Sequence, residues 1–563
     1  MALHHHSFRS PRGHAARCLA TALATVCAGS LRAQQCERVE SRTGLGALSG
    51  ERVRKVDVVT GAPADHGVAG MLARLHIKTR ASAIQQRVLV RAGEPLDTME
   101  LAESLRRLRR LRFLDDVSAV AERCEGVDGI ALTIATRDAW STSPELRLAP
   151  APPPGADEAR PAGGLRVPNG LVGLEERNFL GLGREMRAGL ETREGRLGGS
   201  VQLVDPFVLG LPVVGRMRLT RLPNEHAMGV TLRSDERDAA RSWRGYLAAT
   251  QASRWSLSAN SGHFDRTILQ ALAGRRVTAE DAASATYVGG GVELAQARLT
   301  RFDGMRTPGP AEVARRFAGL DLSVDRTARR YAPNTWLLPR EQVFDVPRGL
   351  EYSAVLGFGV DGVADRPATH FDGWVGRIWT PGHAIVSSDL WSSGFLVGGR
   401  TSAGVVRSTS SFVRQAPHGV WSARLVAERL TRPDPDVRSF LGLDPTAPML
   451  DQKTRLAGGS LAASIERAYR VELPVGRAAV DIAGFAAASL RRATCGTTAA
   501  DVSASALGIG LRAAPSSASR SSLRLDLVVP TTHSAGLRGR PFATLTFAPG
   551  LTADRIRDAL RPR

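Results

Sequence analysis

The sequence predicts an α+β module followed by an all-β transmembrane barrel. Three observations carry that prediction: mixed strand-like and helix-like periodicities over 53–136, a Pro/Gly/Ala-rich break (APAPPPGADEARPAGG) at 149–164, and short apolar/polar alternations between turns over 165–548. The domain boundaries follow as a leader at 1–33, the module at 34–148, a linker at 149–164, the barrel at 165–548 and a C-terminal extension at 549–563.

Arg9, Arg12 and Arg17 precede the apolar run CLATALATVCAGS (18–30), and LRA ends at Ala33. A charged start, a short apolar stretch and a small residue before the cut are the pattern of a secretory signal peptide. The run Leu23–Cys27 lacks a small residue before its Cys, so a lipid anchor is not expected. Beyond the leader there is no run of eighteen or more apolar residues, the length a spanning helix needs. A barrel strand crosses with about 9–11 tilted residues and one apolar side, so bland hydropathy is compatible with membrane residence.

Within the module, VRKVDVVT (53–60) is rich in β-branched residues and predicts a strand, and the alternation in LARLHIK (72–78) predicts another. Thr79 is placed to cap a helix running through Val90 before Gly93. A second helix is signalled by the Asp97/Glu100 capping arrangement and by Leu101, Leu105, Leu108 and Leu111 at helical spacing. Strands at 116–122 and 129–136 complete a β-α-α-β-β order.

In the barrel region Met186, Ala188 and Leu190 oppose Arg187, Gly189 and Glu191, and Met217 and Leu219 oppose Arg216, Arg218 and Thr220. Near the end, Leu523, Leu525, Leu527 and Val529 oppose Arg524 and Asp526. Periodicity alone leaves a two-sheet sandwich open, but the alternation runs far beyond one sandwich. Seven of the eight tryptophans fall after residue 240, where interfacial girdles could use them, although an aromatic content of 5% is low for such a barrel.

Net charge is +20, and the only lysines are Lys55, Lys78 and Lys453. The arginines are dispersed along strands rather than gathered into a helix or arm, so nucleic acid is not an expected partner. For an exported chain, lipopolysaccharide phosphates are the more plausible anions. An oxidising compartment allows Cys36 to pair with Cys124, leaving Cys495 as a loop thiol. No nucleophile elbow, phosphate loop, zinc-protease helix or dinucleotide fingerprint is present, so no enzyme, metal or cofactor is expected. His370 and Asp372 share a strand face and are the best carboxylate–imidazole pair for a hydrolase, a role outweighed by a lumen-lining one.

The segment from Arg80 to Trp140, with GEPLD at 93–97 and TRDAW at 136–140, and then GLVGLEERNFLGLGREM at 170–186, resembles the BamA/TamA family. In that family a periplasmic POTRA domain precedes an outer-membrane β-barrel. The resemblance implies a POTRA-like domain in the periplasm, a barrel of about 16 antiparallel strands, and an entry seam marked by Gly173, Glu175, Asn178, Gly181 and Gly183. It also implies an arginine on a long loop followed by five strands, here at 460–473, 477–488, 505–513, 521–530 and 540–548. Arg455 or Arg438 fits that position, with Arg455 slightly favoured, and Arg538 is excluded by having one strand behind it. The terminal strand RPFATLTF carries Phe542 and Phe547, and the following extension departs from the family pattern. The implied function is an assembly or translocation factor that inserts or exports client polypeptides through a laterally opening barrel. Its partners would be outer-membrane lipid and lipopolysaccharide, unfolded clients on the POTRA edge and barrel seam, and accessory lipoproteins. The alternative is a surface antigen or pore with a partner-docking POTRA domain.

Overall fold

Asp97 begins the clearest helix of the chain by accepting hydrogen bonds from the N–H groups of Met99 (2.7 Å) and Glu100 (3.4 Å). The helix, α2 (Thr98–Arg109), buries Leu101, Leu105 and Leu108 along one stripe and ends on Arg106, Arg107 and Arg109, which favour the negative end of its dipole. Asp97→Ala is expected to cost about 1 kcal/mol, read as a lowered urea midpoint with the helical circular-dichroism signal. The shorter α1 (Ala81–Gln85) replaces the helix expected through Val90, and Thr79 does not cap it. Thr79 is diverted because its N–H bonds Asp138 Oδ2 and its hydroxyl meets Asn178, so tertiary partners outcompete the local cap.

The computed structural model describes residues 36–40, 45–62, 77–109, 111, 113–125, 127–139, 141–149, 169–193, 196–222, 225–234, 242–256, 262–279, 284–301, 314–328, 331–334, 344–363, 365–431, 457–472, 479–495, 498–513, 521–531 and 541–549. The leader at 1–33, residues 72–76 of the strand expected at 72–78, most of the linker, Arg438, Arg455 and the extension beyond Pro549 lie outside these residues, and Ile77 and Lys78 are not in a strand.

Contacts divide the chain into two compact units. One holds Met1–Asp57, Val90–Leu101 and Ser118–Ile134; the other holds Val58–Leu89, Ala102–Val117 and Ala135–Arg563. β1 (Cys36–Glu40), β2 (Val53–Gly61), β3 (Leu114–Cys124) and β4 (Ile130–Asp138) make a four-stranded sheet ordered β1-β3-β4-β2. In the first unit β1 pairs with β3 from Cys36–Cys124 to Glu40–Val120, and the two cysteines form a disulfide. Val53, Leu96, Ile130, Leu132 and Ile134 are among its buried apolar residues.

In the second unit twenty strands, among the described residues, pair antiparallel into a closed barrel. They are β5 (Thr142–Ala149), β6 (Asn169–Phe179), β7 (Arg184–Arg193), β8 (Arg196–Asp205), β9 (Val213–Leu222), β10 (Glu225–Ser234), β11 (Trp243–Ser256), β12 (Gly262–Arg276), β13 (Ser284–Arg301) and β14 (Ala314–Ala328). After a small hairpin, β15 (Tyr331–Asn334) with β16 (Phe344–Pro347), the wall continues through β17 (Gly349–Asp361), β18 (Arg366–Trp379), β19 (Ala384–Val397), β20 (Arg400–Ala416) and β21 (Gly419–Thr431). It finishes with β22 (Ala457–Glu472), β23 (Ala479–Cys495), β24 (Thr498–Ala513), β25 (Ser521–Pro530) and β26 (Phe542–Pro549). The expectation of about 16 strands is therefore corrected upwards, because six strands of eight to eleven residues fit between Thr142 and Ser234. The five strands expected after the long loop are β22 to β26.

Two boundaries also move. The barrel sheet begins at Thr142 rather than 165, so the Pro-rich stretch joins β5 to β6 instead of joining two domains. A Pro/Gly-rich segment breaks strands in either role, so composition cannot separate a linker from a strand connection. Cys495 ends β23, opposite Thr498, rather than lying in a loop.

Along the strands one face is apolar and exposed, the other polar and covered. Leu320, Leu322, Leu507 and Ile509 are on the exposed face, whereas Asp321, Glu293, Asp389, Glu428 and Asp526 are buried. This polarity is inverted relative to a protein in water. A closed sheet leaves no unpaired edge, and an apolar outer face is what a hydrocarbon solvent selects. Trp243 starts β11, Trp379 ends β18 and Trp421 lies near the start of β21; all three are partly exposed. Antiparallel order puts those three positions at one end of the wall, where an interfacial girdle belongs.

Candidate functional site: the seam and the turn beside it

The barrel closes where β26 meets β5, and this ladder is short. Among the described residues it takes in three residue pairs, Leu545–Leu148, Thr546–Arg147 and Phe547–Leu146. On its other side β5 pairs with β6 along its whole length, from Thr142–Glu176 to Ala149–Asn169, and β26 pairs with β25 from Ser521–Pro549 to Val528–Phe542. Elsewhere β23 and β24 stay in register from Val480–Ala513 to Cys495–Thr498. Each ladder hydrogen bond missing from a wall in lipid removes a contribution that water cannot replace, so the seam is the weakest line among the described ladders. Phe542 and Phe547 are both on the terminal strand, and Phe547 is in the seam register itself.

The five residues expected to mark the seam lie one strand further on. Gly173 pairs with Glu145 of β5 and with Gly189 of β7, inside the wall rather than at its closure. Glu175 is almost fully buried and joins Arg177 Nη2 (3.3 Å) and Arg187 Nη2 (3.0 Å). Asn178, with no exposed surface, donates through Nδ2 to Thr79 Oγ1 (2.8 Å) and the Ile77 carbonyl (3.1 Å), and accepts from the Gly183 N–H (2.9 Å). Arg80 N–H donates to the Gly181 carbonyl (2.9 Å), completing a clasp between the β6–β7 turn and residues 77–80.

The glycines of this turn are dictated by space and torsion. Gly181 has φ +73° and Gly183 has φ +66°. A Cβ on Gly181 would stand 2.5 Å from the Lys78 carbonyl, and one on Gly183 2.9 Å from the Phe113 ring.

The sequence expectation passed over Glu176, which accepts from the Asn178 N–H (2.7 Å) and from the Thr142 hydroxyl of β5. Its proximity to Asn178 in a Glu-Glu-Arg-Asn run was the available signal. Glu176 thus ties the motif to the first strand, beside the seam. Arg177 N–H also donates to the Ser141 carbonyl (3.1 Å), just before β5.

His370 and Asp372 lie on the covered face of β18 but are engaged by different partners. His370 Nδ1 is 2.7 Å from Glu293 Oε2, and Asp372 accepts from Trp391 Nε1 (3.2 Å).

Inverted polarity, antiparallel closure and an aromatic end define a membrane-spanning β-barrel protein with a short closing ladder. No family model and no curated protein sequence matches this chain. Among solved structures it is similar to CdiB from Escherichia coli, at 9% identity and TM-score 0.42, covering 91% of this chain and 80% of that one. It is also similar to BamA from Haemophilus ducreyi lacking POTRA domains 1–3, at 11% identity and TM-score 0.33, covering 89% and 85%. The siderophore receptor PirA from Pseudomonas aeruginosa is similar over 77% of this chain and 86% of its own, at 11% identity and TM-score 0.32. At such similarity nothing of function passes from these proteins to this chain.

Proposed function

We propose that this chain is a bacterial outer-membrane assembly or translocation factor, whose seam between β26 and β5 parts to template or pass client polypeptides. The observation that carries the reading is the three-pair seam ladder between two strands that are fully paired on their other sides. Opening there breaks the fewest backbone hydrogen bonds, and the edges so freed would accept a client strand in the same geometry. The edge strands β1 and β2 of the four-stranded sheet would act as the POTRA-like docking edges in the periplasm, by strand addition. Clients, lipopolysaccharide and accessory lipoproteins are the partners this reading implies.

The test locks the seam. Arg147→Cys with Thr546→Cys, in a Cys495→Ser background, places two thiols at directly paired positions. In proteoliposomes the oxidised variant is expected to insert a client barrel no faster than protein-free membranes, and reductant is expected to restore the rate. The Cys495→Ser parent, assayed with and without reductant, controls for the Cys36–Cys124 disulfide. Full insertion by the oxidised variant would overturn the gating reading and favour a passive pore or surface antigen.

A further inference from the structure

We propose that Glu293, Asp321 and His370 bind a divalent transition-metal ion, Zn²⁺ or a close analogue, on the covered face of the barrel wall. The three residues come from β13, β14 and β18, and their donor atoms all lie within 4.8 Å of one another. Glu293 and Asp321 are 4% and 2% exposed. Two carboxylates and one imidazole supply the charge and the mixed O/N donor set that suits Zn²⁺ and its neighbours better than Ca²⁺ or Mg²⁺. Bonds of about 2.0–2.2 Å to one ion place such donors roughly 3–4 Å apart, a contraction within reach of side-chain rotation.

The register explains why these residues converge. Asp321 pairs with Gly357 of β17, and Gly357 pairs with His370, which sets these two in one row across the wall; Glu293 pairs with Gly319, two residues from Asp321 on β14. A Cβ on Gly357 would lie 2.6 Å from Asp321 Oδ1 and 3.3 Å from the His370 Cβ, so any other residue would fill the gap between them. Gln270 of β12 donates from one Nε2 to both Glu293 Oε2 (3.3 Å) and Asp321 Oδ2 (3.0 Å), turning the carboxylates together. Phe395 stacks on the His370 ring at 4.8 Å and Phe317 meets it edge-on at 6.1 Å, fixing its plane.

Asp321 supplies a buried donor atom with no partner of its own. Asp321 Oδ1 is buried and accepts no hydrogen bond, and His370 Nδ1 stands 2.7 Å from Glu293 Oε2 beside it. Buried polar atoms left this way are costly unless a ligand satisfies them. A bound ion would satisfy Asp321 Oδ1 and would tie β13, β14 and β18 together.

The probe is Co²⁺, which reports N/O coordination by its visible absorption, followed by Zn²⁺ competition. The full chain is refolded into detergent micelles after chelator treatment, with His4→Ala, His5→Ala and His6→Ala to remove the other histidine cluster. One equivalent of Co²⁺ is expected to bind and to be displaced by Zn²⁺. Gln270→Leu, which removes the orienting amide, is expected to weaken binding about 10-fold, and Asp321→Asn and His370→Ala by more. Cold gel mobility confirms that each variant is folded. Absence of stoichiometric binding, or binding undiminished in folded Asp321→Asn, would overturn the site and leave the seam reading untouched.

Discussion

Glu175→Ala is expected to destabilise the barrel by about 3–5 kcal/mol, the usual effect of removing one partner from a buried ion pair. Arg177, with 1% of its side chain exposed, would keep its charge in a covered site with its carboxylate partner gone. Arg187 is 45% exposed and would be resolvated. Glu175→Gln keeps an acceptor and is expected to lose less. The double variant Glu175→Leu with Arg177→Met should recover much of the loss, because the desolvation of both charges disappears with them. The measurement is the urea midpoint in detergent, followed by tryptophan fluorescence. A midpoint for Glu175→Ala equal to wild type would mean that water reaches Arg177.

Asn178→Ala is expected to cost about 3 kcal/mol or more, since it strands three groups at once, each with a penalty of about 1–3 kcal/mol when water cannot replace the partner. Those groups are the Ile77 carbonyl, the Thr79 hydroxyl and the Gly183 N–H. Asn178→Asp separates donor from acceptor function: it still accepts from Gly183, and the Thr79 hydroxyl can turn to donate to it, but it sets a buried carboxylate against the Ile77 carbonyl. It is therefore expected to be at least as damaging as alanine. Thermal melting and protease sensitivity at residues 77–80 check both variants. Wild-type stability of Asn178→Asp would show that the amide hydrogens contribute nothing.

The motif residues were legible in the sequence, but their task was not. Gly181 and Gly183 announce positive φ, and a Glu-Glu-Arg-Asn run before them announces local hydrogen bonding. What they fasten is set by residues about a hundred positions away, Ile77 and Thr79, which no periodicity connects to them. The same limit applies to the cation site. His370 stands out as a strand histidine two residues from a carboxylate, yet its neighbours come from β13 and β14 through a glycine on β17. Sequence spacing pointed to Asp372, whereas strand register brought Glu293.

By itself the sequence determined the all-β character of the long second part, the capped second helix and the last five strands of the wall. Each is written in a short-range pattern: a capping residue, a 3.6-residue apolar stripe, or alternation with period two. Only the tertiary structure decided the twenty-strand count, the start of the wall at Thr142 and the placing of the seam between β26 and β5. Those properties depend on which strands meet and over how many residues. Pairing energy is summed along ladders between distant segments, and closure joins strands almost four hundred residues apart in the chain.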